Sequence, residues 1–213
     1  KSCNNIIESD IWMYPNTEII HFSSQLCELV ENGNNLEEIC GGEDNYRRAY
    51  VISRLHQESM LTAYAFKHGI DTKFIRLPFV FGFNTDMDNP WVLNSLVRQY
   101  INKGIIELRK PDSYAWFVHK DFLIEYINNL IKNLSLNQET GKTVSYLECP
   151  MIGIKVNYLS EFIIKCINNQ DLKLTKELEN NLKLVGFGNK TALEEQMNYL
   201  ISNIILIYNH AKN

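Results

Sequence analysis

The 213-residue sequence is poor in glycine and proline, with 10 Gly and 5 Pro. So little of either residue excludes a collagen-like chain and a chain dominated by linkers. Apolar residues make up 45% of the chain and charged residues 22%, which is the composition of a globular protein rather than a disordered one. The length suffices for one large domain or two small ones.

The cysteine, histidine and basic residues also lack the spacing that is typical of metal sites and of nucleic-acid-binding surfaces. The five Cys form no Cys-x-x-Cys pair and the five His show no ligand spacing, so we expect reduced thiols, a cytoplasmic location and no metal site. The net charge of −4 comes without a segment concentrated in Lys and Arg, so we expect no nucleic-acid partner. The longest apolar run, around Leu200–Tyr208, is too short to span a bilayer, so we expect no membrane association.

The chain from residue 19 to residue 82 predicts a strand, a loop, a helix and a second strand. Ile19–Ser23 and Thr72–Gly82 are apolar runs typical of buried strands, the second running into a loop. Arg47–His68 has apolar residues at helical spacing and is followed by Gly69. Glu28–Asp44 is rich in Gly, Asn and Glu, which predicts an exposed loop. A helix between two buried strands indicates a crossover unit in a parallel sheet, and therefore an α/β fold.

The remaining sequence predicts short strands alternating with helices. The predicted helices are Trp91–Lys103, Lys120–Lys132, Leu159–Asn168 and Thr191–Tyr208. The predicted strands are Ile105–Leu108, Ala115–Val118 and Thr143–Cys149, with a brief extended piece at Ile154–Val156.

An ordered series of short motifs runs through this pattern. Tyr50 and Arg54 lie four residues apart on the predicted helix, which places them on one face, and Glu58 follows in the same series. The other members of the series are the strand end Phe22-Ser23-Ser24, the segment Arg76-Leu-Pro-Phe-Val-Phe-Gly82, and the segment Trp116-Phe-Val-His-Lys-Asp121 at the start of a helix.

In order and spacing, these motifs resemble the extended short-chain dehydrogenase/reductase family, in particular its nucleotide-sugar epimerases, dehydratases and reductases. In that family a strand ends in Ser-Ser or Ser-Thr and is followed by a Tyr-x-x-x-Lys-x-x-x-Glu helix and an Arg-Leu-Pro-Asn-Val-Tyr-Gly strand. The resemblance implies a Rossmann-like parallel sheet with a small α/β substrate lobe. We expect residues 1–85 and 112–150 to form the second half of the Rossmann-like domain, and residues 86–111 and 151–213 to form the lobe.

The resemblance also implies roles for individual residues. Ser24, Tyr50 and Arg54 would be catalytic: Ser24 orients the substrate, Tyr50 is the acid/base and Arg54 is the neighbouring cation. A tyrosine in this role needs its pKa lowered from about 10 toward neutrality, which a fixed cation favours. NAD or NADP is the implied cofactor and a nucleotide-sugar the implied substrate. The implied cofactor-binding residues are Tyr50, Arg54, Pro78 and Phe79, and the implied substrate-binding residues are Ser24, Phe79, Trp91 and Arg109.

Three positions depart from the family pattern. Position 54 is Arg instead of Lys, so the charge is kept but the group cannot give up a proton at working pH. Phe79 stands where the family commonly has Asn in contact with the substrate. Tyr114 stands where the family often has an Arg that grips the nucleotide diphosphate, with Arg109 and Lys110 as nearby substitutes.

The family's Gly-x-x-Gly-x-x-Gly turn, which seats the pyrophosphate on a helix N-terminus, is absent from this sequence. We therefore expect the chain to correspond to the C-terminal two-thirds of such an enzyme, with a preceding segment or a second chain completing the sheet, and a homodimer as the assembly. Epimerase, 4,6-dehydratase and 4-keto reductase reactions all remain open. So does a different class, a non-catalytic homologue that binds or acts as a scaffold.

Overall fold

A computed structural model describes residues 17–36, 45–82, 92–108, 110–136, 144–168, 181–186 and 190–212. The strands, numbered along the chain, are β1 (Glu18–Ser24), β2 (Asp71–Leu77), β3 (Phe79–Phe81), β4 (Tyr114–His119), β5 (Val144–Leu147), β6 (Met151–Lys155) and β7 (Leu182–Val185). The helices are α1 (Gln25–Glu31), α2 (Asn45–His68), α3 (Val92–Lys103), α4 (Lys120–Leu136), α5 (Val156–Ile167) and α6 (Lys190–Lys212). Within the described ranges, no helix combines the length and apolar character needed to cross a membrane.

The first of two structural units, residues 1–78 and 131–149, contains a parallel sheet in the order β1-β2-β5. Ile19 lies opposite Thr72 and Ser24 opposite Leu77, so β1 and β2 are in register along their whole length. Phe74 and Ile75 of β2 are fully buried, as expected of a central parallel strand. The predicted crossover from β1 through a helix to a parallel β2 is confirmed.

Helix α2 packs on this sheet through apolar side chains spaced along one stripe. Leu61 packs against Phe74, and Tyr64 packs with Ile19 and Ile70. The buried Leu61, Tyr64 and Ala65 recur at the i, i+3, i+4 spacing of an amphipathic helix. The stripe holds α2 on the sheet, so its N-terminal half, where Tyr50 and Arg54 are, continues alongside β1.

The second unit, residues 79–130 and 150–213, contains a mixed sheet in the order β3-β4-β6-β7. Strands β3 and β4 are parallel, whereas β6 is antiparallel to both β4 and β7. One large apolar cluster fills this unit with side chains from the sheet and from α3, α5 and α6. Among its fully buried members are Phe81, Leu93, Phe117, Ile152, Leu159, Ile163, Leu200 and Ile204.

The structure corrects several of the predicted elements. Residues 28–31, predicted to be loop, belong to α1, and residues 37–44 of that predicted loop lie outside the described residues. Ile105–Leu108 forms no strand, and the Glu107 N–H donates to the Gln99 side-chain oxygen instead of to a neighbouring strand. Strand β7 was not predicted; its four residues are held by pairing with β6, which is distant in sequence.

Pairing between strands determines the unit to which β4 belongs. Strand β4 pairs with β3 and β6, so it lies in the second unit. The first unit includes β2 and Pro78, which directly follows it.

Gly153 of β6 is required by its cross-strand neighbour. It lies opposite Trp116 of β4, and a Cβ atom at position 153 would be 2.7 Å from Cζ3 of the Trp116 ring. We expect Gly153→Ala to lower the free energy of unfolding by about 1–3 kcal/mol, as overpacking of a core does. Urea unfolding measures this loss. The same change in a Trp116→Leu background should cost much less, and an unaltered stability in the wild-type background would contradict the close approach.

Candidate functional site

The carboxyl end of β1 carries two buried serines. Ser24 is the last residue of the strand and the N-cap of α1, where its Oγ accepts a hydrogen bond from the Leu26 N–H at 3.3 Å. A serine N-cap satisfies one of the donors left unpaired at a helix start, which explains why α1 begins here. Because this bond uses only an oxygen lone pair, the Ser24 hydroxyl proton can be donated to a ligand.

Ser23 lies at the alternate position on the strand. Its Oγ lies 3.7 Å from the Cys27 thiol, and both side chains are buried. Ile19 packs on Tyr64 of α2, so Ser23, four residues further along the strand, is on the face that α2 covers. Ser24 lies where the strand passes into α1. The two hydroxyls are therefore held in different surroundings.

Tyr50 and Arg54 contact each other on α2, as their spacing predicts. The Arg54 guanidinium carbon lies 5.1 Å from the centre of the Tyr50 ring, a cation–π geometry, and both side chains are half-buried. Arg54 Nη1 also donates to the Phe22 carbonyl of β1 at 3.4 Å and to Gln57 Oε1 at 3.2 Å. Arg54 thus connects the tyrosine to the strand that ends in Ser24.

The positions of Tyr50 and Ser24 along the sheet follow from the Arg54–Phe22 contact. Helix α2 runs antiparallel to the strands, since only two residues join its end to β2. Measured from that contact toward the carboxyl edge, Tyr50 is one turn further along α2 and Ser24 is two residues further along β1. Both residues therefore lie on the side of the contact that faces the carboxyl edge, where parallel α/β sheets bind ligands.

A cluster of charged and aromatic side chains, which we call the Arg76 cluster, lies under α2. It consists of Glu31, Glu58, Arg76 and Tyr146. Arg76 Nε and Nη2 donate to the two oxygens of Glu58 at 3.1 and 2.6 Å, and Nη1 and Nη2 donate to the two oxygens of Glu31 at 2.6 and 2.7 Å. Tyr146 donates its hydroxyl to Glu58 at 3.2 Å, and its ring lies 4.3 Å from the guanidinium carbon.

Burial strengthens the Arg76–Glu58 ion pair of the cluster. The side chains of Arg76 and Glu58 are only 10% and 4% exposed, so solvent screens their ion pair weakly. Burial alone would lower the pKa of Arg76, but its hydrogen bonds to Glu31 and Glu58 raise it above its ordinary value. The hydrogen bond from Arg76 lowers the pKa of Glu31. Burial and then the Glu58 charge raise the pKa of Tyr146 to about 12, so this phenol stays a donor at physiological pH.

Of the other predicted site residues, the structure describes Pro78 and Phe79. Pro78 follows β2 at the end of the first unit. Phe79 begins β3 in the second unit, where its half-buried ring packs edge to face on Phe117 at 5.7 Å and against the apolar core. Trp91 and Arg109 lie outside the described residues.

Tyr114, one of the positions that depart from the family pattern, has a lysine over its ring. The Lys183 Nζ lies 4.3 Å from the centre of that ring, and Tyr114 also packs beside Trp116. A positive charge therefore lies next to this position although the residue itself is neutral.

A second Tyr-x-x-x-basic pair has different surroundings. Tyr208 and Lys212 match a Tyr-x-x-x-Lys spacing near the end of α6, with the Lys212 Nζ 4.7 Å from the Tyr208 ring centre. Tyr208 packs against the apolar core of the second unit. It does not follow a strand that ends in paired serines, so we do not include it in the site.

His119 is a buried, stacked side chain of the second unit. Its ring lies parallel to that of Tyr199 at 4.0 Å, and its backbone N–H donates to Gln196 Oε1 at 3.0 Å. Burial lowers the pKa of His119 below its ordinary 6.5, although the charge of Asp121 acts in the opposite direction. These surroundings suit a neutral imidazole that packs in the core.

This burial predicts a loss of stability in acid. Because the folded pKa of His119 is depressed, the unfolded chain takes up the proton first as the pH falls below 6.5, and the free energy of unfolding decreases. His119→Phe, which can keep the stacking on Tyr199, should make the melting temperature fall less steeply below that pH. A residual slope is expected from His21, whose pKa burial also lowers. Equal slopes in the wild type and the variant would contradict this reading.

Comparisons with known proteins give matches among solved structures. No family model and no curated protein matches the chain. The GDP-D-glycero-L-gluco-heptose synthase of Campylobacter jejuni, solved in the presence of NADPH, is similar with a TM-score of 0.55 and 14% identity over 97% of this chain and 74% of that one. The UDP-N-acetylglucosamine 4-epimerase of Methanobrevibacter ruminantium, in complex with UDP-N-acetylmuramic acid, is similar with a TM-score of 0.51 and 16% identity over 89% of this chain.

A third similar structure is the capsular polysaccharide assembling protein CapF of Staphylococcus aureus, with a TM-score of 0.51 and 15% identity over 84% of this chain. The chain spans 45% of the length of CapF and 63% of that of the epimerase. These similarities confirm the predicted α/β, Rossmann-like fold.

Proposed function

We propose that this chain takes part in NAD(P)-dependent modification of a nucleotide-sugar, with Tyr50 as the acid/base. The observation that carries the proposal is the placement of Arg54, which touches the Tyr50 ring and the backbone of β1 two residues before Ser24. In this proposal the tyrosine, the fixed cation and the strand-end serine act together at the carboxyl edge of the parallel sheet. The fold, shared with a heptose synthase and a 4-epimerase that act on nucleotide-sugars, supports the same class and a relationship to the extended short-chain dehydrogenase/reductases.

In this proposal each of the three residues has a distinct task. The Ser24 hydroxyl donates a hydrogen bond to the reacting sugar oxygen and holds it in line. Tyr50 takes a proton from that oxygen or returns it. Arg54 stabilises the negative charge that develops on the phenol, and because guanidinium does not deprotonate in proteins, it acts only as a fixed charge. The proton must therefore leave Tyr50 by another route than Arg54, such as water.

The described residues fit one end of a nicotinamide cofactor. Arg54 has five N–H donors, of which Nη1 is engaged with Phe22 and Gln57, so further donors can bind ribose hydroxyls. A glycine-rich turn for the pyrophosphate is not present in the sequence, so the described residues do not supply that part of the site. When bound, the cofactor supplies the hydride acceptor or donor. We propose a cytoplasmic enzyme, with the choice among epimerase, dehydratase and reductase set by residues beyond this constellation.

A non-catalytic homologue that binds or acts as a scaffold is the second candidate. The observation in its favour is Phe79, whose ring is used for core packing where the family has a substrate-contacting Asn. Arg in place of Lys at position 54 also favours a non-catalytic homologue.

The two functions are separated by incubating the protein expressed from its complete reading frame with NAD(H) or NADP(H) and a panel of nucleotide-sugars. The enzyme is expected to convert at least one sugar, detected by mass spectrometry or by a change in nicotinamide absorbance. Arg54→Lys should keep or increase that conversion, because it restores the family's residue. Tight cofactor or sugar binding without conversion would favour the scaffold.

A further inference from the structure

Arg76 joins the elements that carry all three proposed catalytic residues. It lies on β2 opposite Ser23, the neighbour of Ser24 on β1. One of its carboxylate partners, Glu31, is the last residue of α1, and the first turn of α1 is capped by Ser24. The other partner, Glu58, lies on α2 one turn after Arg54 and two turns after Tyr50.

The hydrogen bonds of Arg76 fix the orientation of its guanidinium group as well as its position. All three guanidinium nitrogens donate to the two carboxylates, two nitrogens to each carboxylate. Such a paired hydrogen bond forms only within a narrow range of orientations, so the guanidinium plane is held in place. The Tyr146 ring centre lies 4.3 Å from the guanidinium carbon, and its hydroxyl donates to Glu58. The Glu58 carboxylate therefore accepts three hydrogen bonds, which restrict its orientation. These bonds hold the turn of α2 that carries Glu58 against β2.

Apolar packing and the Arg76 cluster both hold α2 on the sheet. The apolar contacts of α2 with the sheet include those of Leu61 and Tyr64, which follow Glu58. N-terminal to Glu58, Val51 is also buried, and Arg54 donates a 3.4 Å hydrogen bond to the Phe22 carbonyl of β1. The Arg76 cluster adds a charged restraint at Glu58, one turn after Arg54.

We propose that Arg76 is a positioning residue for the site: its two-carboxylate fork sets the placement of α2 relative to the end of β1, and so of Tyr50 relative to Ser24. Arg76 itself contacts neither the substrate nor the cofactor in this role. The expected effect of Arg76 on turnover rests on the proposed function. Its effect on the placement of α2 is a property of the fold and does not depend on that function.

The experiment compares Arg76→Lys, which keeps the charge but loses the planar fork, with Lys103→Met as a control. Lys103 forms an exposed ion pair with Glu107 at 2.9 Å, so its loss tests a charge deletion away from the cluster. The Arg76→Lys variant is assayed well below its melting temperature. We expect its kcat to be about tenfold to a hundredfold lower, because displacement of a catalytic group reduces the rate by such factors. We expect its KM to be nearly unchanged. In a Tyr50→Phe background the same change should have no further effect on the residual kcat, because the misplaced group is already gone.

Hydrogen exchange provides a readout that needs no turnover. Arg76→Lys should accelerate amide exchange in residues 50–58 of α2 and in α1, while β2 stays protected. If the wild type converts no nucleotide-sugar, the proposed function fails and the exchange result alone decides the positioning role. The proposal is overturned by unchanged exchange in α2, by an equal acceleration throughout the unit, or, where turnover exists, by an equal loss of kcat with and without Tyr50.

Discussion

Replacing Tyr50 with Phe is expected to lower turnover by about a hundredfold to ten-thousandfold, the range that general acid–base catalysis contributes. The change deletes one oxygen and keeps the ring over which Arg54 lies. It should leave the melting temperature nearly unchanged, because Tyr50 is half-buried and phenylalanine preserves its shape. Steady-state kinetics with the best sugar of the panel, together with thermal unfolding, measure both quantities.

The two serines at the end of β1 form a matched pair for the same assay. Ser24→Ala should lower kcat, because it removes the hydroxyl proposed to hold the sugar oxygen, and should also weaken the start of α1. Ser23→Ala removes a hydroxyl of the same type that lies beside Cys27 on the face covered by α2, and should leave kcat largely intact. The reverse result would transfer the role to Ser23. Full activity of the Tyr50→Phe variant would show that Tyr50 is not the acid/base and would contradict the proposed mechanism.

The largest expected effect on stability comes from Glu58. Glu58→Ala leaves the buried Arg76 charge with one carboxylate and Tyr146 without its acceptor, so we expect a loss of about 3–5 kcal/mol, as for other broken buried ion pairs. Glu107→Ala removes a carboxylate from the exposed pair with Lys103 and should cost about 0.2–1 kcal/mol at most. Urea unfolding followed by circular dichroism gives the two values under the same conditions.

A double variant separates the cost of a stranded charge from that of lost packing. Glu58→Leu with Arg76→Met replaces the pair by apolar side chains, and should recover part of the stability lost in Glu58→Ala, because the buried Arg76 charge is no longer left without Glu58. Stability of Glu58→Ala equal to that of Glu107→Ala would show that solvent reaches the Arg76 cluster and that it does not restrain α2.

The helices and strands predicted correctly are those whose pattern of apolar residues lies within the element itself. The apolar run Ile19–Ser23 and the helical spacing of Arg47–His68 each contain enough buried side chains to define a strand and a helix. Helix α1 was missed because seven residues are too few to show a helical period, and it forms because Ser24 caps it and Cys27 is buried. Strand β7 was missed because four residues of mixed polarity become a strand only when β6 pairs with them.

The site was predicted in part for a similar reason. Spacing along one helix places Tyr50, Arg54 and Glu58 on one face, and the structure brings the first two into contact. The Arg76 cluster was not predicted, since Glu58 meets partners 18 and 88 residues away in sequence, and Arg76 meets Glu31 across 45 residues. Sequence periodicity carries no information about such pairs. The signal that was available is that Glu58, a charged residue, belongs to the same face as Tyr50.

We propose that Tyr50 and Arg54, on α2 beside β1, form the nicotinamide side of a cofactor site. The most direct measurement is a fluorescence titration of NADH and NADPH with the protein expressed from its complete reading frame, beside its Arg54→Met variant. We expect saturable binding of one of the two cofactors, weakened at least about tenfold in the variant by loss of charge-assisted hydrogen bonds. Binding of neither cofactor, or identical affinity in the wild type and Arg54→Met, would contradict it.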